Sequence, residues 1–214
     1  GRFALGLSSA VSCQVHHGDA GRKCGLTLRC HCGGPKGSLA GRPLTMSLFE
    51  LMKNFPAPGV VRWIGVRPAR GVEVTPLSEV AIGLENGLQG DRYHGKPGSV
   101  RQVTLIQAEH LEVVARLLGR KTIDPALLRR NIVVEGMNLL ALRSQEFELG
   151  TAVLVGTGNC APCSQMEKAL GPGGYNAMRG HGGITASVIQ PGVVRVGDSV
   201  TWLRRQERVV EYDD

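Results

Sequence analysis

The chain has 214 residues, of which 42% are hydrophobic, and its formal net charge is +7. This length favours one folded domain, and no uninterrupted apolar run reaches the length of a membrane span, which argues against a membrane protein. The charge is uneven, because residues 1–45 hold six Lys/Arg against one acid, whereas the remaining chain holds 19 against 17. With aromatic residues at 4% and no basic stripe between them, we expect no nucleic-acid partner.

Residues 1–45 differ in composition from the rest of the chain. They are rich in Gly and Cys and show no helical or alternating periodicity. We predict that they are a disordered leader or a non-native extension, and that the folded domain comprises residues 46–214. An Arg-rich, acid-poor leader also fits a transit peptide, so its role in targeting stays open. The two cysteines of the domain, Cys160 and Cys163, are too few for a disulfide framework and predict a cytoplasmic protein.

Short β-rich runs, separated by Gly and Pro, dominate residues 46–214. One strong amphipathic helix is predicted at 107–119, with Gly119 as its C-terminal stop, and Asp124 caps a further helical turn. Because regular helices do not separate the strands, the pattern predicts a mainly β barrel or sandwich with a few helical insertions. The predicted strands are 60–66, 73–83, 101–106, 131–136, 147–156, 183–189 and 193–203.

The two domain cysteines lie in "TGNCAPCSQMEKALG", residues 157–171. Ser164 and Glu167 have capping-box spacing, which predicts Ser164 as the helix N-cap and places Cys163 just before it. Unpaired N–H groups at a helix start favour anions and hence a thiolate, the form that attacks electrophiles and binds soft metals. The alternatives are a core-filling cysteine, a zinc half-site, or a thioredoxin-like pair with Cys160, although that fold requires more helices between the strands.

Two basic clusters fit an anion. The first is "LLRRNIVVEG", in which Arg129, Arg130 and Asn131 stand between a helical turn and a strand, where guanidinium groups bind phosphate in two-point contacts. Its alternative is a solvated basic helix end.

The second basic cluster is "GLQGDRYHGKPGSVRQ", a Gly-rich loop. It brings Asp91, Arg92, His94, Lys96 and Arg101 together, and a glycine-rich backbone beside cations suits an anion. Its alternative is an ordinary surface loop with a surface histidine.

Five motifs in sequence order together resemble the MOSC domain. This domain is the C-terminal domain of molybdenum cofactor sulfurases and also occurs alone in many bacterial proteins. The resemblance runs from about Gly87 to Val200. The motifs are "GLQGDRYHGK…RQVTLI", "LLRRNIVVEGMNL", "FELGTAVL", "CAPC" and "GGITASVIQPGVVRVGDSV".

The resemblance implies a MOSC-type β-barrel that binds the molybdenum cofactor, a molybdenum–pyranopterin bearing a phosphate. Cys163 occupies the position of the cysteine that ligates molybdenum in amidoxime-reducing relatives, and its sulfur could instead carry a persulfide. Cys160 is expected to be an accessory residue, able to form a transient disulfide with Cys163. Asp91 and His94, which lie in the first motif, are accessory candidates.

Arg129 and Asn131 match residues that contact the cofactor in those relatives. Arg130 stands where the relatives carry proline, so its role is open, and it is included as a cofactor-binding candidate. Arg92 and Lys96 are further candidates for contacts with phosphate or substrate, and these rest on charge alone.

The function implied by the resemblance is reduction of N-hydroxylated small molecules with electrons from a partner protein. One alternative is a sulfur carrier that receives a Cys163 persulfide from a cysteine desulfurase. Another is a non-catalytic module that binds or delivers the molybdenum cofactor, and thiol–disulfide exchange ranks last. No lysine has a recognisable Schiff-base context, which argues against pyridoxal phosphate in this chain.

Overall fold

The computed structural model describes residues 47–95 and 99–203, and these contain eleven strands and four short α-helices. The predicted leader, its boundary and Lys96 lie outside the described residues. The strands are β1 Gly59–Val66, β2 Thr75–Leu77, β3 Glu79–Gly83, β4 Gly87–Leu88, β5 Val103–Gln107, β6 Ile132–Glu135, β7 Glu146–Leu149, β8 Ala152–Asn159, β9 Ile184–Gln190, β10 Gly192–Arg195 and β11 Ser199–Trp202. The helices are α1 Leu48–Leu51, α2 Ala108–Leu117, α3 Ser164–Leu170 and α4 Gly174–Ala177, with 3-10 helices at Pro125–Leu128 and Leu139–Leu142.

Seven strands form a closed barrel in the order β11-β7-β8-β9-β5-β6-β1, because β11 pairs back onto β1. The closing pairs are Gly59 with Val200 and Val60 with Ser199. Strands β5 and β6 run parallel, whereas β2 extends the sheet beside β1. A separate sheet has the order β10-β3-β4. The prediction of a mainly β barrel with helical insertions is therefore confirmed.

Alternation along the strands divides the buried residues between two cores. Leu105 of β5 and Ile132 of β6 lie in a large core that also contains the fully buried Phe147. The next residues along the same strands, Ile106 and Val133, belong to a second core with side chains from α2, α3 and α4. Both faces of β5 and β6 are therefore buried, which explains the consecutive apolar residues at 105–106 and 132–134.

The predicted run 73–83 contains two strands that belong to different sheets. Ser78 separates β2, which pairs with β1, from β3, which pairs with β10. The two-residue strand β4 was not predicted, because it lies in the Gly-rich segment that resembles a loop. Strands this short leave too few positions for alternation to be visible in the sequence.

The predicted helix at 107–119 is α2, and the glycine that follows it has a positive φ of 65°, as a helix-terminating residue requires. The predicted Asp124 cap is present, since its carboxylate accepts a hydrogen bond from the Ala126 N–H at 2.9 Å. The turn that it caps is a 3-10 helix. Among the described residues no helix is long and apolar enough to cross a membrane.

Two histidines contact each other beside the second core. The rings of His110 in α2 and His181, after α4, are 5.0 Å apart between centroids in an edge-to-face arrangement. The Nδ1 atom of each ring is buried and has no hydrogen-bond partner. Burial lowers the pKa of His110, and His181 lowers it further, whereas Glu109 acts in the opposite direction. Burial and the neighbouring His181 therefore favour the neutral form of His110.

Stability is expected to fall on acidification because of His110. Its pKa is lower in the folded protein than the ordinary value of 6.5 that applies to the unfolded chain, so the unfolded chain binds more protons below that pH. The free energy of unfolding should be constant above about pH 7 and decrease as the pH falls through 6.5 and below. Urea titrations at a series of pH values would measure this.

The matched variants for this experiment are His110→Phe, which keeps an aromatic ring in the contact, and His94→Gln, which changes an exposed histidine. We expect the acid-dependent loss to shrink in the first variant and to persist in the second. An identical pH profile for His110→Phe and the wild type would contradict the assignment.

Candidate functional site

Most of the predicted site residues line one cavity beside the barrel. This cavity, the inner lobe, has a volume of about 300 Å³. It is positioned by the residue after β1, the loop after β4, and the segments before β5 and β6. Its charged and histidine lining residues are Arg67, Asp91, Arg92, His94, Arg101, Arg129 and Arg130, and Tyr93 and Asn131 also line it.

A second cavity, the outer lobe, adjoins the first and has a volume of about 550 Å³. Arg67, Arg92 and Arg129 line both lobes. The outer lobe adds Arg70 and Glu73 from the loop after β1, apolar walls that include Val72 and Leu127, and two residues of α3. The helix that carries Cys163 at its start therefore forms part of the outer wall.

The inner lobe is strongly cationic, because five arginines face one carboxylate, which leaves four formal positive charges when its histidine is neutral. The described residues contain ion pairs elsewhere, such as Arg62 with Glu135, but none involves these five arginines. The Asp91 carboxylate accepts hydrogen bonds from the backbone N–H of Arg67 at 2.7 Å and of Tyr93 at 3.3 Å. Asp91 thus orders the loop and leaves the guanidinium groups available to an anion.

Arg67 was not predicted, and it carries the clearest mark of a binding residue. Its Nε and Nη1 atoms and the Tyr93 hydroxyl are buried and have no hydrogen-bond partner. Burial lowers the pKa of Arg67, and the like charges of Arg129 and Arg92 lower it further. Leaving such donors unpaired is costly, so these atoms fit an oxygen-rich anion such as a phosphate. No local pattern in "GVRPAR" distinguishes this arginine from a surface residue.

Arg129 lines both lobes from a strained backbone. Its φ of 58° and ψ of 32° place it in the left-handed region, which costs a non-glycine residue roughly 1–2 kcal/mol. Strain of this kind concentrates at functional sites. The strained turn ends the 3-10 helix and directs the chain into β6. The same turn therefore positions both Arg129 and Arg130.

Asn131 is held by two strands. Its Oδ1 accepts hydrogen bonds from the Thr104 N–H at 3.2 Å and hydroxyl at 2.7 Å, and its Nδ2 donates to the Gly65 carbonyl at 3.3 Å. The side chain therefore locks the start of β6 against β5 and β1 at the wall of the inner lobe. Contact between Asn131 and a cofactor stays a prediction.

Arg130 differs from the other lobe arginines, because its guanidinium binds the protein itself. It is 7% exposed and donates to the carbonyl oxygens of Gly182, Leu128 and Cys160. A contact between Arg130 and a cofactor stays a prediction. The residue nevertheless contributes to the lining of the inner lobe.

The predicted capping box at the start of α3 is wrong. Cys163 itself is the N-cap, and Ser164 is the first helical residue. The Glu167 carboxylate accepts hydrogen bonds from the N–H groups of Gly173 and Tyr175, both at 2.8 Å. These bonds lower the pKa of Glu167. The glycine-rich turn after α3 brings two unpaired donors within reach, and they compete successfully with the single donor at the N-cap.

The two cysteines occupy different environments. Cys163 is exposed and free, and it lies close enough to Arg67 and Arg130 to interact with their charges. Cys160 is half-buried and lines a separate cavity with Tyr175 and Arg179. Burial raises the pKa of the Cys160 thiol, an effect opposed by Arg130 and Arg101. Cys163 is therefore the accessible sulfur.

The segment that joins the two cysteines, residues 160–163, contains no turn or bend. A disulfide needs Cα atoms within roughly 7 Å of each other. The transient disulfide between Cys160 and Cys163 stays a prediction.

A metal in this region would depend on few protein ligands. Among the described residues, no group of three or more His, Cys, Asp or Glu side chains is arranged to hold a metal ion. Cys163 could supply one thiolate, and further ligands would have to come with the metal, as they do in a dithiolene cofactor.

Together, the fold and the site define a β-barrel protein with an arginine-lined anion cavity beside an accessible cysteine. The family model for the MOSC domain matches residues 90–201, more than half of the chain, and the chain belongs to this family. The predicted family resemblance is therefore confirmed. No curated protein sequence is significantly similar to the chain.

Solved structures share the fold. The YuaD protein from Bacillus subtilis is 20% identical with a TM-score of 0.59, over 67% of this chain and 94% of that one. YiiM from Geobacillus stearothermophilus is 20% identical with a TM-score of 0.58, over 69% and 76% of the two chains. YiiM from Escherichia coli is 21% identical with a TM-score of 0.55, over 71% and 72%.

Proposed function

We propose that this protein binds the molybdenum cofactor and reduces N-hydroxylated small molecules with electrons from a partner redox protein. The observation that carries the proposal is the set of buried, unpartnered donors on Arg67 and Tyr93, in a cavity of excess positive charge near the exposed Cys163. A phosphate-bearing, thiolate-ligated cofactor would use both features.

The residues available for the cofactor divide by chemistry. Arg67, Arg92 and Arg129 would hold the phosphate, whose charge offsets the repulsion among their guanidinium groups. The Cys163 thiolate is a soft ligand suited to molybdenum. When bound, the cofactor would supply the two-electron chemistry that side chains lack.

The outer lobe is the proposed place for the substrate, since it adjoins the cationic cavity and is partly lined by α3. Its apolar walls at Val72 and Leu127 suit a flat organic base, and Gln165 and Glu73 can hydrogen-bond to its edge. The net reaction uses two electrons and two protons, breaks the N–O bond, and releases water and an N–H product. The free thiols among the described cysteines fit a reducing compartment such as the cytoplasm.

Molybdenum content is the direct test. The full chain, purified without oxygen from a host that makes the cofactor, should contain near-stoichiometric molybdenum by mass spectrometry. Cys163→Ala should lose most of it, because a main protein ligand is gone, whereas Cys160→Ala should retain it. Absence of molybdenum from the folded wild type and both variants would overturn the proposal.

The exposure of Cys163 supports a second candidate function, a sulfur carrier. In that reaction the Cys163 thiolate attacks the outer sulfur of a persulfide on a cysteine desulfurase, and the desulfurase cysteine leaves as a thiolate. The purified protein would then contain cyanide-releasable sulfur, lost in Cys163→Ala, and no molybdenum. The two candidates thus give opposite results in the same preparations.

A further inference from the structure

Arg130 is the most buried of the inner-lobe arginines, and its hydrogen bonds join separate parts of the chain. Its Nε donates to the Gly182 carbonyl at 2.7 Å, its Nη1 to Leu128 at 3.0 Å and its Nη2 to Cys160 at 3.0 Å. Cys160 and Gly182 are 30 and 52 positions away in the sequence. One side chain therefore bridges the end of the 3-10 helix, the cysteine segment and the loop before β9.

The segments that Arg130 joins are also packed closely against each other. A Cβ atom at Gly182 would overlap the Cys160 carbonyl oxygen and approach Arg130 Nη2 at 3.2 Å. The Cys160 N–H donates to the Gly183 carbonyl at 2.9 Å. The backbone of Cys160 is thus fixed at its N–H by Gly183 and at its carbonyl by Arg130.

This anchoring matters because the segment from Cys160 to Cys163 has little structure of its own. It contains no turn, and its far end is held where the Met166 N–H donates to the Cys163 carbonyl at 2.8 Å, at the start of a seven-residue helix. The position of the exposed Cys163 sulfur therefore depends on the two ends of the segment, and Arg130 holds one of them.

We infer that Arg130 is a positioning residue, which fixes the cysteine segment against the Gly182 loop and so determines where the Cys163 sulfur stands. The inference holds whether that sulfur binds molybdenum or carries a persulfide. A lysine cannot replace it fully, because an ammonium on a flexible chain lacks the planar fork that reaches three carbonyls at once.

Differential thiol labelling tests the role on the full chain, purified from a host that does not make the molybdenum cofactor, so that the Cys163 sulfur is free to react. In the wild type, a small alkylating reagent should modify the exposed Cys163 at least about tenfold faster than the half-buried Cys160, as located by peptide fragmentation in a mass spectrometer. In Arg130→Ala, loss of the carbonyl contacts should release the segment and reduce the ratio to within about threefold. Arg130→Lys should give an intermediate ratio.

Two further measurements separate positioning from other effects. Arg101→Ala removes another cation that lines the inner lobe and interacts with Cys160 through its charge. The three carbonyl contacts belong to Arg130 and stay in place in this variant. Loss of the Arg101 charge disfavours the Cys160 thiolate, so the ratio should stay at the wild-type value or rise, and should not fall. Millimolar ethylguanidinium should occupy the space vacated in Arg130→Ala and restore the ratio. A variant that is only generally destabilised would not be rescued in this way. If Arg130→Ala fails to fold, the lysine variant takes its place.

The inference is overturned if a folded Arg130 variant keeps the wild-type ratio, or if Arg101→Ala lowers it equally. Molybdenum content is measured separately. If labelling changes across the variants and the wild type from a cofactor-making host contains no molybdenum, the proposed function is refuted and the role of Arg130 stands.

Discussion

Arg67→Met is expected to weaken phosphate binding by roughly 10–100-fold, because one charge-assisted contact is worth about 1.5–3 kcal/mol. Methionine keeps an extended apolar chain in place and removes the buried Nε and Nη1 donors that have no partner in the protein. Calorimetric titration with inorganic phosphate or pyrophosphate would measure the loss, without any requirement for cofactor or substrate.

The same substitution should leave the ligand-free protein as stable as before, or more stable. Burial and the neighbouring Arg129 and Arg92 disfavour the charged guanidinium, as the lowered pKa of Arg67 shows, so its removal relieves desolvation and repulsion. Binding sites commonly carry such a stability cost. A thermal unfolding curve measured beside the titration would show whether affinity and stability separate in this way.

Arg62→Ala is the matched control for Arg67→Met. Arg62 lies on β1, the strand that leads into Arg67, and it is exposed and pairs with Glu135 away from the cavity. Its loss should change phosphate affinity little, since an exposed ion pair contributes at most about 1 kcal/mol. Equal losses of affinity in the two variants would indicate a general effect of charge and contradict a specific role for Arg67.

Gly183→Ala is expected to have the largest effect on stability, a loss of about 3 kcal/mol in the free energy of unfolding. Gly183 has a φ of 81°, and a Cβ there would overlap the Leu105 carbonyl oxygen and lie 2.9 Å from the Ile106 Cα. Those atoms belong to the barrel strand β5 and cannot yield without disturbing its pairing with β9. Urea unfolding, monitored by circular dichroism, would measure the loss.

Gly180→Ala distinguishes the energetic cost of the backbone conformation from the cost of steric overlap. Gly180 also has a φ of 81°, but a Cβ added there would meet no atom of the described residues within 4 Å. The substitution should therefore lower the free energy of unfolding only by the cost of placing alanine in a left-handed backbone conformation, about 1 kcal/mol. Similar losses in the two variants would mean that the close approach of Gly183 to β5 is relieved by small movements.

The strands and the barrel class were predictable from sequence because their signals are local or shared by a family. Alternating and continuous apolar runs marked most strands, and the five ordered motifs indicated the barrel. The boundary at Ser78 was not visible, because "EVTPLSEVAIG" reads as one β-rich run and the change of sheet is decided by its partners, β1 and β10.

The site was predictable only in part, because some of its residues acquire their role from contacts that exist only in the folded protein. Arg129, Arg92 and Asn131 stand in motifs, and the structure brings them together at the inner lobe. Arg67 gave no signal, because its importance arises from burial of its donors in the folded state. Glu167 misled the prediction, because its spacing to Ser164 fits a capping box while its partners are supplied by the turn after α3.

The pairing that closes the barrel also sets the order in which the chain can fold during synthesis. Val60 and Ser199, which pair across the closure, are 139 positions apart, and a ribosome needs roughly 7–28 s to make that length at 5–20 residues per second. Until β11 emerges, β1 and β7 each lack the neighbour they share. Unpaired edges of this kind bind other strands readily, so the start of β1 should stay open to incorrect pairing until the last strand has been made.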